Sequence, residues 1–185
     1  MATSIKWVVD TNIVRGANPA SDKPMAKKCA EFLNFIKQHK HMVVMTDDIS
    51  QEWNKQRPTS GDRNNTYMSK FSKDWRSSMV ARGLVYFCKI ADTDKFYHSA
   101  KLDEEKTIKD AHLIDAVLNT EGICIIASDE DNCRKAFLKI AQTEEKIKCI
   151  VWLNPTDSSL TIFDSQKLES LILNETFLKL ISRTS

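Results

Sequence analysis

Four acidic positions stand where an apolar run gives way to a helical pattern: Asp10 in KWVVDTNIV, Glu52 in TDDISQEW, Asp110 in KDAHLIDAVL and Asp129 in IIASDEDNCRKAF. Two carboxylates ~4 Å apart repel by ~1 kcal/mol in bulk water and ~4 kcal/mol at an effective dielectric near 20. Four of them in one basin would raise one another's pKa values unless a cation neutralised them. All-oxygen donors without paired His or Cys favour Mg²⁺ or Mn²⁺ over zinc. One or two such ions suit in-line attack on a phosphodiester. Each acid alone also has a plainer account. Asp10, Thr11 or Asn12 can cap a helix or make a turn, Glu52 can be a solvated glutamate, and Ser128 with Asp129 can open the next helix. What favours the joint account is that three strand-to-helix junctions and one helix start all supply an acid.

The elements that must position these residues follow from hydrophobic patterning. Short apolar runs at Ile5 to Val9, Met42 to Met45, Leu84 to Cys88, Ile123 to Ala127 and Cys149 to Trp152 read as strands, and Trp7-Val8-Val9 reads as a strand covered on both faces. Amphipathic segments at Lys23 to Gln38, Asp47 to Lys55, Asn65 to Arg82, Asp103 to Asn119 and Glu130 to Ala141 read as helices. The alternation predicts an α/β fold, a single three-layer α/β/α domain around a mainly parallel sheet of about five strands. Right-handed crossovers then bring the C-terminal strand ends to one edge, where open α/β sheets bind ligands. Asp110 falls near the buried seam of its helix. Asp115 lies about 140° further round at 3.6 residues per turn, which predicts a surface position.

Composition sets the outer limits. The 185 residues, 42% hydrophobic and 28% charged, suit a soluble globular domain with a sizeable core. A start without an apolar core of signal-peptide type, and no run near the ~20 apolar residues of a membrane helix, predict a cytoplasmic protein with no membrane partner. The net charge of +2 gives no global field for nucleic acid, so any basic surface must be local. Five cysteines without CxxC spacing read as reduced thiols, with Cys124 and Cys149 placed in the core by their apolar neighbours. A polar loop at Asn154 to Ser159 precedes a last helical pattern, Ser165 to Ile181, so the chain divides into a body of residues 1–153 and a C-terminal helical extension of 154–185 packed on that body or on a second copy.

The ordered set of VVDTN, a helical glutamate after the second strand, KDAHLIDAVL and IIASDEDNCRKAF resembles the PIN-domain family, from Ile5 to about Phe137. That family includes many metal-dependent ribonucleases, among them the toxins of bacterial toxin–antitoxin pairs. The resemblance implies an Mg²⁺- or Mn²⁺-dependent endoribonuclease acting on single-stranded or structured RNA. It implies Asp10, Glu52, Asp110 and Asp129 as catalytic metal ligands, Asp131 as an outer ligand, and Thr11 and Asn12 supporting Asp10, with Ser128 beside them. By analogy it extends to a homodimer and to an antitoxin-like protein partner. The family's small toxins are shorter, and the Asn65 to Arg82 segment and the tail beyond Asn154 are additions. On this reading Asp10, Asp110 and Asp129 hold one metal and Glu52 holds a second or orients the water. His112 reads as a surface or hydrogen-bonded residue rather than a base.

For RNA, the stretch from Trp53 to Gly83 interleaves cations with aromatics. Phe71 and Trp75, spaced i, i+4, read as core. Lys55, Arg57 and Arg63, in a polar loop with Pro58 and Gly61, read as a phosphate clamp. The competing function is a catalytically silent PIN-like module that binds RNA or protein. A phosphatase-like hydrolase with Asp10 as nucleophile is weaker, because the position two residues on, where a second Asp is expected, holds Asn12.

Overall fold

Strands of three or four residues, most of them buried, form the centre of the molecule. They are β1 (Lys6–Val9), β2 (Met42–Met45), β3 (Val85–Phe87), β4 (Cys124–Ala127) and β5 (Val151–Leu153). The computed structural model describes residues 5–54, 68–96 and 105–157, with the backbone alone for 105–109. In that span one five-stranded sheet has the order β3-β2-β1-β4-β5, and every pairing is parallel. Trp7, Val8 and Val9 are fully enclosed, as a strand covered on both faces requires.

The helices are α1 (Thr11–Gly16), α2 (Pro24–Gln38), α3 (Asp47–Asn54), α4 (Lys70–Ala81), α5 (Glu105–Leu118) and α6 (Asp131–Ile140). From β1 the chain steps outward to β2 and β3, then crosses back to β4 and β5. Right-handed crossovers therefore put α1 to α4 on one face and α5 and α6 on the other, which makes three layers. Trp7 meets Phe32 of α2 edge-on at 5.1 Å on the first face. The winding reverses between β1 and β4, the position where open α/β sheets form a crevice. Register makes the crevice local: Val9 pairs with Ala127, and Ala127 with Leu153, so Asp10, Ser128 and Asn154 emerge side by side.

Among the strands, one boundary differs from its apolar run by more than one residue. The last strand begins at Val151 rather than Cys149, because the Ile150 N–H closes a turn on the Ile147 carbonyl at 3.1 Å and is lost to the ladder. The exposed Cys149 thus stands outside the core, and Cys124 is only half-buried, whereas Cys29, Cys88 and Cys133 are buried; all five are free thiols. The helical pattern of Ser165 to Ile181 lies outside the described residues, as does the start of the Asn65 to Arg82 pattern. Among the described residues, no helix is long and apolar enough to cross a membrane.

Helix α1 is absent from the periodicity reading, and with six residues it is too short to persist alone. Neighbours hold both of its ends. Asp10 caps its start, accepting from the Asn12 N–H at 3.2 Å. At its far end the Ser72 hydroxyl donates to the Val14 carbonyl at 2.6 Å, and Ser69 donates to the Ala17 carbonyl at 2.7 Å. The core side chains of α4 continue this junction. Trp75 donates its indole N–H to the Leu33 carbonyl at 2.6 Å and packs 6.1 Å from Trp53. Trp75 is therefore core, as its spacing predicts, and Phe71 is partly buried against the same cluster. Because Ser72 is fully buried, Ser72→Ala strands a carbonyl and is expected to cost about 1–3 kcal/mol. Urea denaturation checks this, and an unchanged midpoint would mean that α1 does not depend on the α4 junction.

Candidate active site

Asp10 leaves β1 into the crevice and is 8% exposed. Its backbone N–H still donates to Ala127 at 2.9 Å, so the ladder itself places it against the end of β4. Its Oδ1 faces the start of α1, and its Oδ2 accepts from the Ser128 hydroxyl at 2.6 Å. Ser128, 1% exposed, also accepts from the Glu130 N–H at 3.1 Å, which fixes the turn carrying Asp129. Burial raises Asp10 from its ordinary 3.8 to about 6, against the lowering effect of the Ser128 and Asn12 hydrogen bonds; the charges of Asp110 and Asp129 raise it further. The structure thus brings Asp110 and Asp129, two of the other three sequence-predicted acids, within electrostatic reach of Asp10.

Asp110, on α5, is half-buried and bonds to Cys133 of α6, whose thiol is pushed up by burial and by the Asp110 charge. Asp129 is also raised, by burial first and then by the Glu130 and Asp131 charges. Its Oδ1 is buried with no hydrogen-bond partner. A buried carboxylate oxygen left bare is costly unless a proton or a cation meets it. Cys29, a buried residue of α2, is pushed up to about 12 by burial and by the Asp129 charge.

Glu52 reaches the pocket through a neighbour of Asp10. Its Oε2 accepts from Thr11 Oγ1 at 2.8 Å and stands 3.4 Å from His112 Nε2. The expectation that Thr11 supports Asp10 is corrected here. As the first residue of α1 its hydroxyl points across to α3, and the hydroxyl on Asp10 is that of Ser128. Asn12 does support Asp10, through its backbone N–H, while its side chain donates to Glu130 at 2.7 Å. Glu130 was missed within the acidic run, where only the outer positions of the Asp-Glu-Asp triplet were weighed. Asp131 turns outward at the start of α6, with its side chain 56% exposed and 3.4 Å from Arg134. Trp53, beside Glu52, is buried, so that turn of α3 does pack inward.

Asp115 is a second correction. It is 1% exposed, not on the surface, and its Oδ1 accepts from the Phe96 N–H at 2.5 Å. The helical rotation is right, but α5 is covered on both sides, by the sheet and by the segment that follows β3. Burial raises this carboxyl too. Lys55, Arg57 and Arg63 lie outside the described residues.

The donor set suits a hard divalent cation: oxygen ligands, one of them buried and bare, on acids whose charges oppose one another. Among the described residues, no group of three or more His, Cys, Asp or Glu side chains is arranged to hold a metal ion. Comparison with family models, with curated proteins and with solved structures returned no match to this chain.

The raised carboxyl of Asp10 has a consequence for stability. Between pH 3.8 and about 6 the folded state binds more protons than the unfolded state, so this group's contribution falls as pH rises through that window. At pH 8 without metal, Asp10→Asn removes the burden but weakens one hydrogen bond. The net expectation is a gain of about 1–2 kcal/mol, out of roughly 3 kcal/mol implied by the raised pKa. Thermal melts at pH 8 and pH 4 check this: the gain should vanish at the lower pH, and a loss at pH 8 would make Asp10 a plain structural cap.

Proposed function

We propose that the chain is a PIN-like, Mg²⁺- or Mn²⁺-dependent endoribonuclease. The observation that carries this reading is the buried Asp10 at the winding reversal between β1 and β4, raised to about 6 by burial first and then by the charges of Asp110 and Asp129. A fold gains nothing from crowding three acids there on stability grounds, whereas a site for a cation bound to phosphate needs them. Asp10, Asp110 and Asp129 would hold the ion, and Glu52 stands one hydrogen bond away on Thr11. A bound divalent ion supplies Lewis-acid stabilisation of charge growing on the scissile phosphate.

The chain's own residues supply the rest. Ser128 and the Asn12 N–H hold both oxygens of Asp10, so its carboxyl is oriented before substrate arrives. The buried, uncharged thiols of Cys29 and Cys133 lie within electrostatic reach of Asp129 and of Asp110 and Asp10, and a low local dielectric there would strengthen charge interactions. RNA as substrate, the Lys55, Arg57 and Arg63 clamp, a homodimer and an antitoxin-like partner belong to the same reading and rest on the resemblance.

The test is cleavage of a generic single-stranded RNA in Mn²⁺ against a chelated control. Asp10→Asn, Asp110→Asn and Asp129→Asn are each expected to lower the rate by more than about 100-fold, the upper end of what outer-shell partners cost. Wild-type protein that retains RNA on a filter but cuts none in Mn²⁺ would favour the silent binding module instead.

A further inference from the structure

Glu52 is held from more directions than a lone ligand at the rim of a pocket requires. Thr11 Oγ1 donates to its Oε2 at 2.8 Å, and His112 Nε2 lies 3.4 Å from the same oxygen. Arg15 Nη2 donates to its main-chain carbonyl at 2.7 Å. Three elements therefore meet on one residue: α1 through Thr11 and Arg15, α5 through His112, and α3 through the Glu52 backbone. Both side chains are largely enclosed, with Glu52 18% and His112 11% exposed. The positions in the chain matter as much as the distances. Thr11 follows Asp10 directly, and His112 stands two residues after Asp110 on α5. The two side chains on Glu52 Oε2 are thus near neighbours of two of the three converging acids, and those acids come from separate elements that no strand ladder joins.

His112 also has a charged neighbour on its own helix. Asp115, one turn further along α5, lies within electrostatic reach of His112 and Lys95, and it accepts the Phe96 N–H at 2.5 Å. Lys95 in turn pairs with Asp48 of α3 at 3.2 Å and with Asp92 at 3.0 Å. The acidic and basic groups facing His112 therefore include Glu52 from α3 and Asp115 from its own helix, with Asp48 and Lys95 behind them.

We propose that His112 is a positioning residue of the nuclease site: through Glu52 it sets how α5, and with it Asp110, sits against Asp10. This rests on the nuclease reading. His112 touches neither substrate nor the reacting atoms on this account; it acts through Glu52, and so determines how tightly the three acids take up the ion.

The test is a double-substitution cycle read in two ways: RNA cleavage as a function of Mn²⁺ concentration, and, without RNA, the Mn²⁺ concentration that half-saturates the rise in melting temperature, which should shift in parallel. His112→Ala is expected to raise the Mn²⁺ needed for half-maximal rate by about tenfold, within the range typical of outer-shell partners. Because His112 works through Glu52, His112→Ala combined with Glu52→Gln should be no worse than Glu52→Gln alone. If His112→Ala does not fold, His112→Asn, polar but too short to reach Glu52, takes its place. Wild-type-like Mn²⁺ dependence in His112→Ala, or losses that multiply in the double variant, overturns the proposal and leaves the nuclease reading standing. A wild-type protein that cuts no RNA in Mn²⁺ overturns both.

Discussion

The carboxyl of Asp10 is buried at the one place in the sheet where the winding reverses, and much of the local structure answers to that fact. Burial disfavours its charge, and Asp110 and Asp129 oppose it further. Two hydrogen bonds, from Ser128 and from the Asn12 N–H, work in the other direction without restoring the ordinary value. A group left under that tension at neutral pH is costly to the fold, which is why the proposed function assigns it a cation. The bare Oδ1 of Asp129 repeats the pattern on the adjacent strand end.

The surrounding elements are arranged to hold this tension in place. Parallel register aligns the ends of β1, β4 and β5, so Asp10 and Ser128 meet by backbone pairing before any side chain acts. The short α1 is fastened at both ends, to Asp10 at its start and to the serines of α4 at its finish. Its first two residues then serve different neighbours: Thr11 braces Glu52, and Asn12 braces Asp10 and Glu130. One six-residue helix thereby connects the acids of the strand ends to those of α3. The thiols of Cys29 and Cys133 are pushed up first by their burial and then by the charges of Asp129 and of Asp110 and Asp10.

The sheet was legible because a strand buried on both faces shows as an unbroken apolar run, and Trp7, Val43, Ile125 and Trp152 each fall inside one. The helices of ten or more residues were legible from their periodicity, with ends shifted by a few residues. The six-residue α1 was not, since one and a half turns carry too little period to detect. Asp115 was misplaced for a related reason. Helical rotation says which residues share a face, but whether solvent or another segment covers the opposite face depends on where the chain goes after β3. Cys149 erred in the other direction, an apolar neighbourhood in sequence that turned out to be the exposed side of a turn.

The amino-acid sequence by itself determined the α/β class, the parallel strands and which acids stand at strand ends, because hydrophobic period and capping chemistry are local properties. Only the tertiary structure decided which hydroxyl serves which acid. Ser128 rather than Thr11 holds Asp10, and Thr11 with His112 holds Glu52. Those pairings join residues 118, 41 and 60 positions apart in the chain, so they follow from register and crossover geometry, which no local pattern encodes.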